Sequence, residues 1–133
     1  MKLVKAFGAA AVLAASATAA YGGYVQPYPV EVDLTNMIAS GDTVTARYAD
    51  NKTEMIGCGA RRYQGGTAWA FCQARTAKGE QILCTTFDQY LVDTVASSAD
   101  FGFITFSWNK SDECTRIGFS NQSFYLPQNL DSN

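Results

Sequence analysis

The chain contains no histidine, and this absence removes several classes of catalytic site. Ser-His-Asp triads and Cys-His pairs need an imidazole to accept the proton of the nucleophile. The sequence also lacks the C-x-x-C pair of thioredoxin-like redox sites and a G-x-x-x-x-G-K phosphate-binding loop. We therefore predict no catalytic residue and no cofactor, and we expect the protein not to be an enzyme.

Carboxylates are the remaining candidates for catalysis, because a pair of them is enough for glycoside hydrolysis. Nothing in the sequence singles out two of them, and we interpret those of the second half as helix caps, turn residues and solvated charges. They are Asp88, Asp93, Asp100, Asp112 and Glu113.

Basic charge is also scarce. Ten Lys and Arg residues stand against twelve Asp and Glu, and Arg61-Arg62 is the only pair of adjacent basic residues. Nucleic acids and anionic membrane surfaces attract proteins through clustered Lys and Arg. The composition therefore argues against both as partners.

No apolar run reaches the roughly 20 residues of a membrane span. The best candidate, residues 6–15, follows Lys2 and Lys5 and leads into the small residues 16–20. A basic start, a short apolar middle and a small-x-small end are typical of a secretory signal peptide. We predict a signal peptide over residues 1–19 and export to the periplasm or the exterior of a bacterial cell. The alternatives are cleavage after Ala20 and an ordinary buried helix.

The remaining chain of about 113 residues has the size of one domain. We predict a flexible lead-in over 20–29, a single domain over 30–127 and a polar tail over 128–133. Loss of Lys2 and Lys5 with the signal peptide leaves a mature net charge of about −4.

Four cysteines lie in the predicted mature chain. An even number of cysteines in an exported protein indicates disulfides, here two. Zinc sites use closely spaced cysteines, often with histidine, whereas the gaps here are 13, 11 and 29 residues. We therefore predict no metal site. The cysteines are Cys58, Cys72, Cys84 and Cys114.

Short alternating runs predict strands, and one longer run predicts a helix. Residues 87–99 contain no turn residue and carry an apolar stripe of Phe87, Leu91 and Val95, preceded by a Thr86-x-x-Gln89 capping box. We expect an α+β fold, with an antiparallel sheet of about five strands and one helix packed on one face. The strand-like runs are 30–34, 42–49, 53–62, 67–76, 80–85, 101–108 and 113–121, with turns at 64–66 and near 78.

These turns define a register for the cysteines. The first turn places Cys58 opposite Cys72, and the second places Cys72 opposite Cys84. The two outer cysteines would be nearly 10 Å apart, too far for a bond. We favour Cys58–Cys72 with Cys84–Cys114; the alternative is Cys72–Cys84 with Cys58–Cys114. The same face carries small residues that the helix stripe is expected to cover, namely Ala60, Ala68, Ala70 and Ala74.

The opposite face of this sheet carries the candidate binding residues. In the same register Arg61 lies opposite Trp69, Gly59 opposite Phe71 and Met55 opposite Arg75, with Gln73 between. Arg61 beside Trp69 favours a cation–π contact, and aromatic residues with arginine are typical of contact surfaces. The alternative is a second core under the amino-terminal segment. The candidate site is Arg61, Trp69, Phe71, Gln73 and Arg75.

The chain resembles small exported bacterial proteins with four cysteines and no known activity. The resemblance covers roughly half of the sequence. It implies export and disulfides, and it implies no function. It is carried by Gly57-Cys58, Ala70-Phe71-Cys72, Cys84-Thr85-Thr86, the segment 103–108, Cys114 and the segment 123–127.

Three functions follow as hypotheses from these observations. The first is a non-catalytic exported module that binds a protein or a sugar through a rigid sheet surface. The second is a structural or envelope-associated protein, and the third is an enzyme of unrecognised type.

Overall fold

The computed structural model describes residues 23–128, which form seven strands, two α-helices and a short 3-10 turn. The predicted signal peptide, the first residues of the lead-in and most of the polar tail lie outside the described residues. The elements are β1 (Glu31–Asp33), β2 (Ile38–Asp42), α1 (Thr43–Tyr48), β3 (Met55–Arg62), β4 (Ala68–Arg75), β5 (Gln81–Thr86), α2 (Gln89–Ala96), β6 (Phe103–Trp108), β7 (Cys114–Ser120) and the 3-10 turn Ser123–Tyr125.

The strands form two antiparallel sheets, whereas the sequence led us to expect one sheet of about five strands. The first sheet has the order β1-β2-β6-β7, and the second has the order β3-β4-β5. An isolated parallel bridge between Thr85 and Glu113 joins β5 to the start of β7. The single-sheet expectation is wrong because β6, which carries β7 as its hairpin partner, pairs with β2, more than 60 residues earlier in the chain, and not with the β3-β4-β5 strands.

The segment predicted as a strand over 42–49 is mostly helical. Asp42 ends β2 and caps α1, with its Oδ1 accepting a hydrogen bond from the Thr45 N–H at 2.7 Å. Its Oδ2 accepts from the Tyr28 N–H at 2.6 Å, so the buried carboxylate is hydrogen-bonded on both oxygens. The alternation of Val44, Ala46 and Tyr48 was misleading, because Ala46 is buried while Tyr48 remains 74% exposed.

Helix α2 forms where the sequence predicts it, but it is shorter than the 87–99 expected. Asp88 is the N-cap and accepts from the Leu91 N–H at 3.1 Å, whereas Thr86 accepts from the Asp88 N–H through its hydroxyl. Phe87 therefore precedes the helix and is 74% exposed, so the prediction that it covers the alanine row is wrong. The buried side chains of α2 are Val92 and Val95.

One hydrophobic cluster combines both sheets with α2. The alanine row lies on the inner face of β3 and β4 as predicted, and α2 contacts β3, β4 and β7. Small side chains allow this close approach of helix and sheet. The largest fully buried side chain is Phe106 of β6. Within residues 23–128 no helix is both long and apolar enough to cross a membrane.

Both disulfides have the favoured connectivity. Cys58 and Cys72 lie directly opposite on β3 and β4, with their Cα atoms 4.0 Å apart, and form what we call the intra-sheet disulfide. Cys84 of β5 bonds Cys114 of β7 across a Cα distance of 5.0 Å, and we call this the inter-sheet disulfide. The second bond thus connects the two sheets.

Candidate binding surface on the three-stranded sheet

The five predicted binding residues lie together on one face of the β3-β4-β5 sheet. The register is confirmed, with Arg61 opposite Trp69 and Met55 opposite Arg75. The face follows from the strand period of two, because the alternate residues of β4 point into the core. We call it the outer face, and its positions are Met55, Gly57, Gly59 and Arg61 on β3, Trp69, Phe71, Gln73 and Arg75 on β4, and Gln81, Leu83 and Thr85 on β5.

The outer face is accessible to solvent. Trp69, Phe71, Gln73 and Arg75 are partly exposed, and Arg61 is exposed. Leu83, on the neighbouring strand, is 50% exposed. These values differ sharply from those of the inward residues Ala70, Cys72 and Ala74 of β4, which are at most 1% exposed.

The sequence left open a second core between this face and the amino-terminal segment. The described part of that segment packs elsewhere. Tyr24 packs edge-on against Phe124, and Tyr28 packs edge-on against Phe103, at ring distances of 5.6 and 4.9 Å. The Gln26 N–H also donates to the Phe124 carbonyl. Residues 24–28 thus pack beside β6 and the 3-10 turn, and none of these contacts involves Trp69 or Phe71.

Two aromatic rings and one guanidinium form the centre of the outer face. The Trp69 and Phe71 ring centroids are 5.7 Å apart and tilted by 38°. The Arg61 Cζ lies 5.4 Å from the Phe71 centroid, so the prediction that Arg61 stacks on Trp69 is wrong. The reason is Gly59, directly opposite Phe71: it has no side chain, and the Phe71 ring extends across it towards Arg61.

Arg75 marks the other end of the outer face. Its Nε donates to the Thr53 carbonyl at 2.8 Å, which fixes the guanidinium against the start of β3. Beside it lies an open depression of about 370 Å³. Its lining combines apolar, amide and charged side chains, from Met55, Gln73, Arg75, Gln81, Ile82, Leu83 and Asp112.

Sequence reasoning missed the contribution of Gln81 and Asp112 to this depression. Gln81 lies opposite Arg75 in the register, so the predicted turn near residue 78 was enough to place Gln81 on the outer face. Asp112 reaches β5 because its carbonyl accepts the Thr85 N–H at 3.0 Å, a contact between the two sheets that no local pattern indicates.

The arginines of the outer face have no ion-pair partner in the described part of the chain. The ion pair found within residues 23–128 joins Arg62 to Asp93 of α2. Arg62 lies next to Arg61 in sequence but on the opposite face of the sheet. Arg62 therefore pairs with Asp93 of α2, whereas Arg61 belongs to the outer face.

A second concave site lies where the two ends of the domain meet. This apolar groove of about 410 Å³ is lined by residues of 25–27, 42–48 and 124–128. Beside it, burial and then the negative charge of Asp42 raise the pKa of Tyr125. None of the predicted binding residues lies there.

The geometry contains no metal centre within residues 23–128, where no cluster of three or more His, Cys, Asp or Glu side chains could hold an ion. No protein-family model, curated protein or solved structure was found to match the chain. The resemblance to small exported four-cysteine proteins therefore stays a prediction.

Proposed function

We propose that this protein is a non-catalytic exported module that binds a protein or a carbohydrate through the outer face of its three-stranded sheet. The observation that carries the proposal is the pair of adjacent, partly exposed rings of Trp69 and Phe71 between two arginines that have no ion-pair partner among residues 23–128. Aromatic and arginine side chains dominate the binding energy of contact sites.

The scaffold behind these rings is stiff. The intra-sheet disulfide joins β3 to β4 immediately next to the Gly59–Phe71 pair, on the reverse side of the sheet. Side chains on cross-linked strands lose less conformational entropy on binding than side chains on loops. This supports a preformed contact surface.

Export is part of the proposal and has its own support. Two disulfides and no free cysteine among the described residues are typical of proteins from oxidising compartments. Together with the signal-like amino terminus, they favour a periplasmic or extracellular protein. Mass spectrometry of the mature protein should find Ala20 or Tyr21 as the first residue; an intact Met1 would contradict export.

Trp69 provides the direct test of the surface. In a Trp108→Phe variant, which removes a buried tryptophan, acrylamide should quench the remaining fluorescence strongly. Trp69→Ala should then abolish stoichiometric capture of a partner from culture supernatant and leave the melting temperature almost unchanged.

Phe87→Ala is the matched control, because Phe87 is an exposed aromatic residue outside the outer face. Weak quenching of Trp69, together with a large loss of stability in Trp69→Ala, would identify this face as core. Equal partner capture by both variants would remove the outer face as the binding surface and would favour a structural or envelope-associated role.

A further inference from the structure

The β3 and β4 part of the outer face has an excess of hydrogen-bond donors. Arg61, Arg75 and Trp69 carry only donors, whereas Gln73 supplies the one side-chain acceptor among the β4 residues and their β3 partners. Asp112 contributes a carboxylate at the rim beyond β5, where it lines the same depression as Arg75. Such a donor-rich strip favours a ligand that offers acceptors locally, although the chain as a whole carries a small net negative charge.

Each arginine is oriented by its own chain but keeps free donors. The Arg61 guanidinium lies over Phe71 and donates through one Nη to the Ala60 carbonyl at 3.0 Å. Arg75 uses its Nε on the Thr53 carbonyl, and its two Nη groups make no hydrogen bond within residues 23–128. A preoriented guanidinium with two free N–H groups matches a carboxylate in a bidentate arrangement.

The dimensions of the face favour a narrow ligand. From Trp69 to Arg75 β4 extends for about 20 Å, and the three strands together are about 10 Å wide. This outline is about twice as long as it is wide, which suits an extended chain lying along β4. An extended peptide would instead pair with the backbone of an edge strand.

From these observations we infer that the ligand is a linear polysaccharide bearing carboxylate groups. Its carboxylates bind Arg61 and Arg75, and its sugar rings lie on Trp69 and Phe71. This inference rests on the proposed binding function of the outer face and adds the chemical class of the ligand.

The test compares carboxylated polysaccharides with their uncharged forms. Polygalacturonate, alginate and hyaluronate, each with and without methyl esterification, are titrated against the mature protein by calorimetry at low salt and at 0.5 M salt. We expect at least one carboxylated chain to bind, its ester to bind at least tenfold more weakly, and salt to weaken the binding by screening.

Variants assign the effect to the outer face. The double variant Arg61→Gln, Arg75→Gln should weaken binding at least tenfold, and Trp69→Ala should do the same. The control Arg47→Gln, Arg116→Gln removes two exposed arginines from α1 and β7 and should bind like the unmodified protein. Melting curves of all variants show that each one is folded.

The possible outcomes distinguish a failure of the carboxylate inference from a failure of the proposed binding function. Equal binding of esterified and carboxylated chains, lost in Trp69→Ala, would overturn the carboxylate inference and leave a sugar-binding module. A protein partner lost in Trp69→Ala, without binding of any polysaccharide, would overturn the ligand class alone. If neither a protein nor a polysaccharide binds in a way that depends on Trp69, both the ligand class and the proposed binding function are overturned.

Discussion

Gly57 and Gly59 occupy successive outward positions on β3, and their replacement by alanine tests the arrangement of the outer face. A Cβ at Gly57 would meet no atom within 4 Å. A Cβ at Gly59 would lie 2.7 Å from Cζ and 2.8 Å from Cε1 of Phe71, so the ring has to move. The two substitutions are chemically identical and differ only in this contact.

The expected stabilities follow from the two environments. Neither glycine has a positive φ, so Gly57→Ala should increase the free energy of unfolding by about 0.4–1 kcal/mol through the lower entropy of the unfolded chain. Gly59→Ala has the same gain but loses the Arg61–Phe71 contact, worth about 0.5–1 kcal/mol. Displacing the Phe71 ring from its preferred rotamer costs about 0.5–1.5 kcal/mol more. Gly59→Ala should therefore be about 1–2.5 kcal/mol less stable than Gly57→Ala.

Urea denaturation followed by circular dichroism measures both variants under the same conditions, with the disulfides intact. Gly59→Ala should also bind the ligand of the outer face more weakly, because Phe71 no longer lies between Trp69 and Arg61. Stabilities that agree within about 0.3 kcal/mol, the limit for resolving such differences, would show that the Phe71 ring does not lie over Gly59.

Three further predictions concern the rest of the fold. Replacing both cysteines of the inter-sheet disulfide by alanine should cost about 3.6 kcal/mol, against about 3.0 kcal/mol for the intra-sheet disulfide, because the sequence separations are 30 and 14 residues; denaturation curves showing the reverse order would refute this. Val92→Ala should lower the free energy of unfolding by about 2 kcal/mol, through lost burial and a cavity, whereas Phe87→Ala should change it by less than about 0.5 kcal/mol; calorimetric melting compares the two. The raised pKa of Tyr125, caused by burial and then by Asp42, means that the folded state holds this proton more tightly than the unfolded chain does. The resulting stabilisation should be complete below the ordinary pKa of 10.0 and should be lost as the pH rises further, and Tyr125→Phe should flatten this alkaline decline in urea titrations; an unchanged decline would count against it.

The β3-β4-β5 sheet shows how far local sequence reasoning reaches. Its register was predicted from two turns, and Gly65, Gly66 and Gly79 of those turns all have positive φ values, which glycine adopts without strain. Once a hairpin turn is placed, the period of two determines every cross-strand pair and both faces. The position of the five binding residues on one face followed from that register, which also excluded a Cys58–Cys84 bond but left two possible partners for Cys72.

The end of β2 shows where local reasoning fails. The alternation over 42–49 matches a strand, but Asp42 caps a helix because its carboxylate is held by Tyr28, a residue 14 positions earlier. The helix boundary at Asp88 was likewise missed by two residues, because two possible caps, Thr86 and Asp88, lie two positions apart and the sequence does not rank them.

The sequence by itself thus determined the hairpins and the sidedness of one sheet, and it excluded a Cys58–Cys84 bond, because these depend on turns and on a backbone period that act over a few residues. Only the tertiary structure decided that there are two sheets, that β6 lies beside β2, and that Asp112 reaches the rim of the outer face. Those contacts join segments that are far apart in the chain, and their free energy comes from burying a shared core, which no single segment encodes.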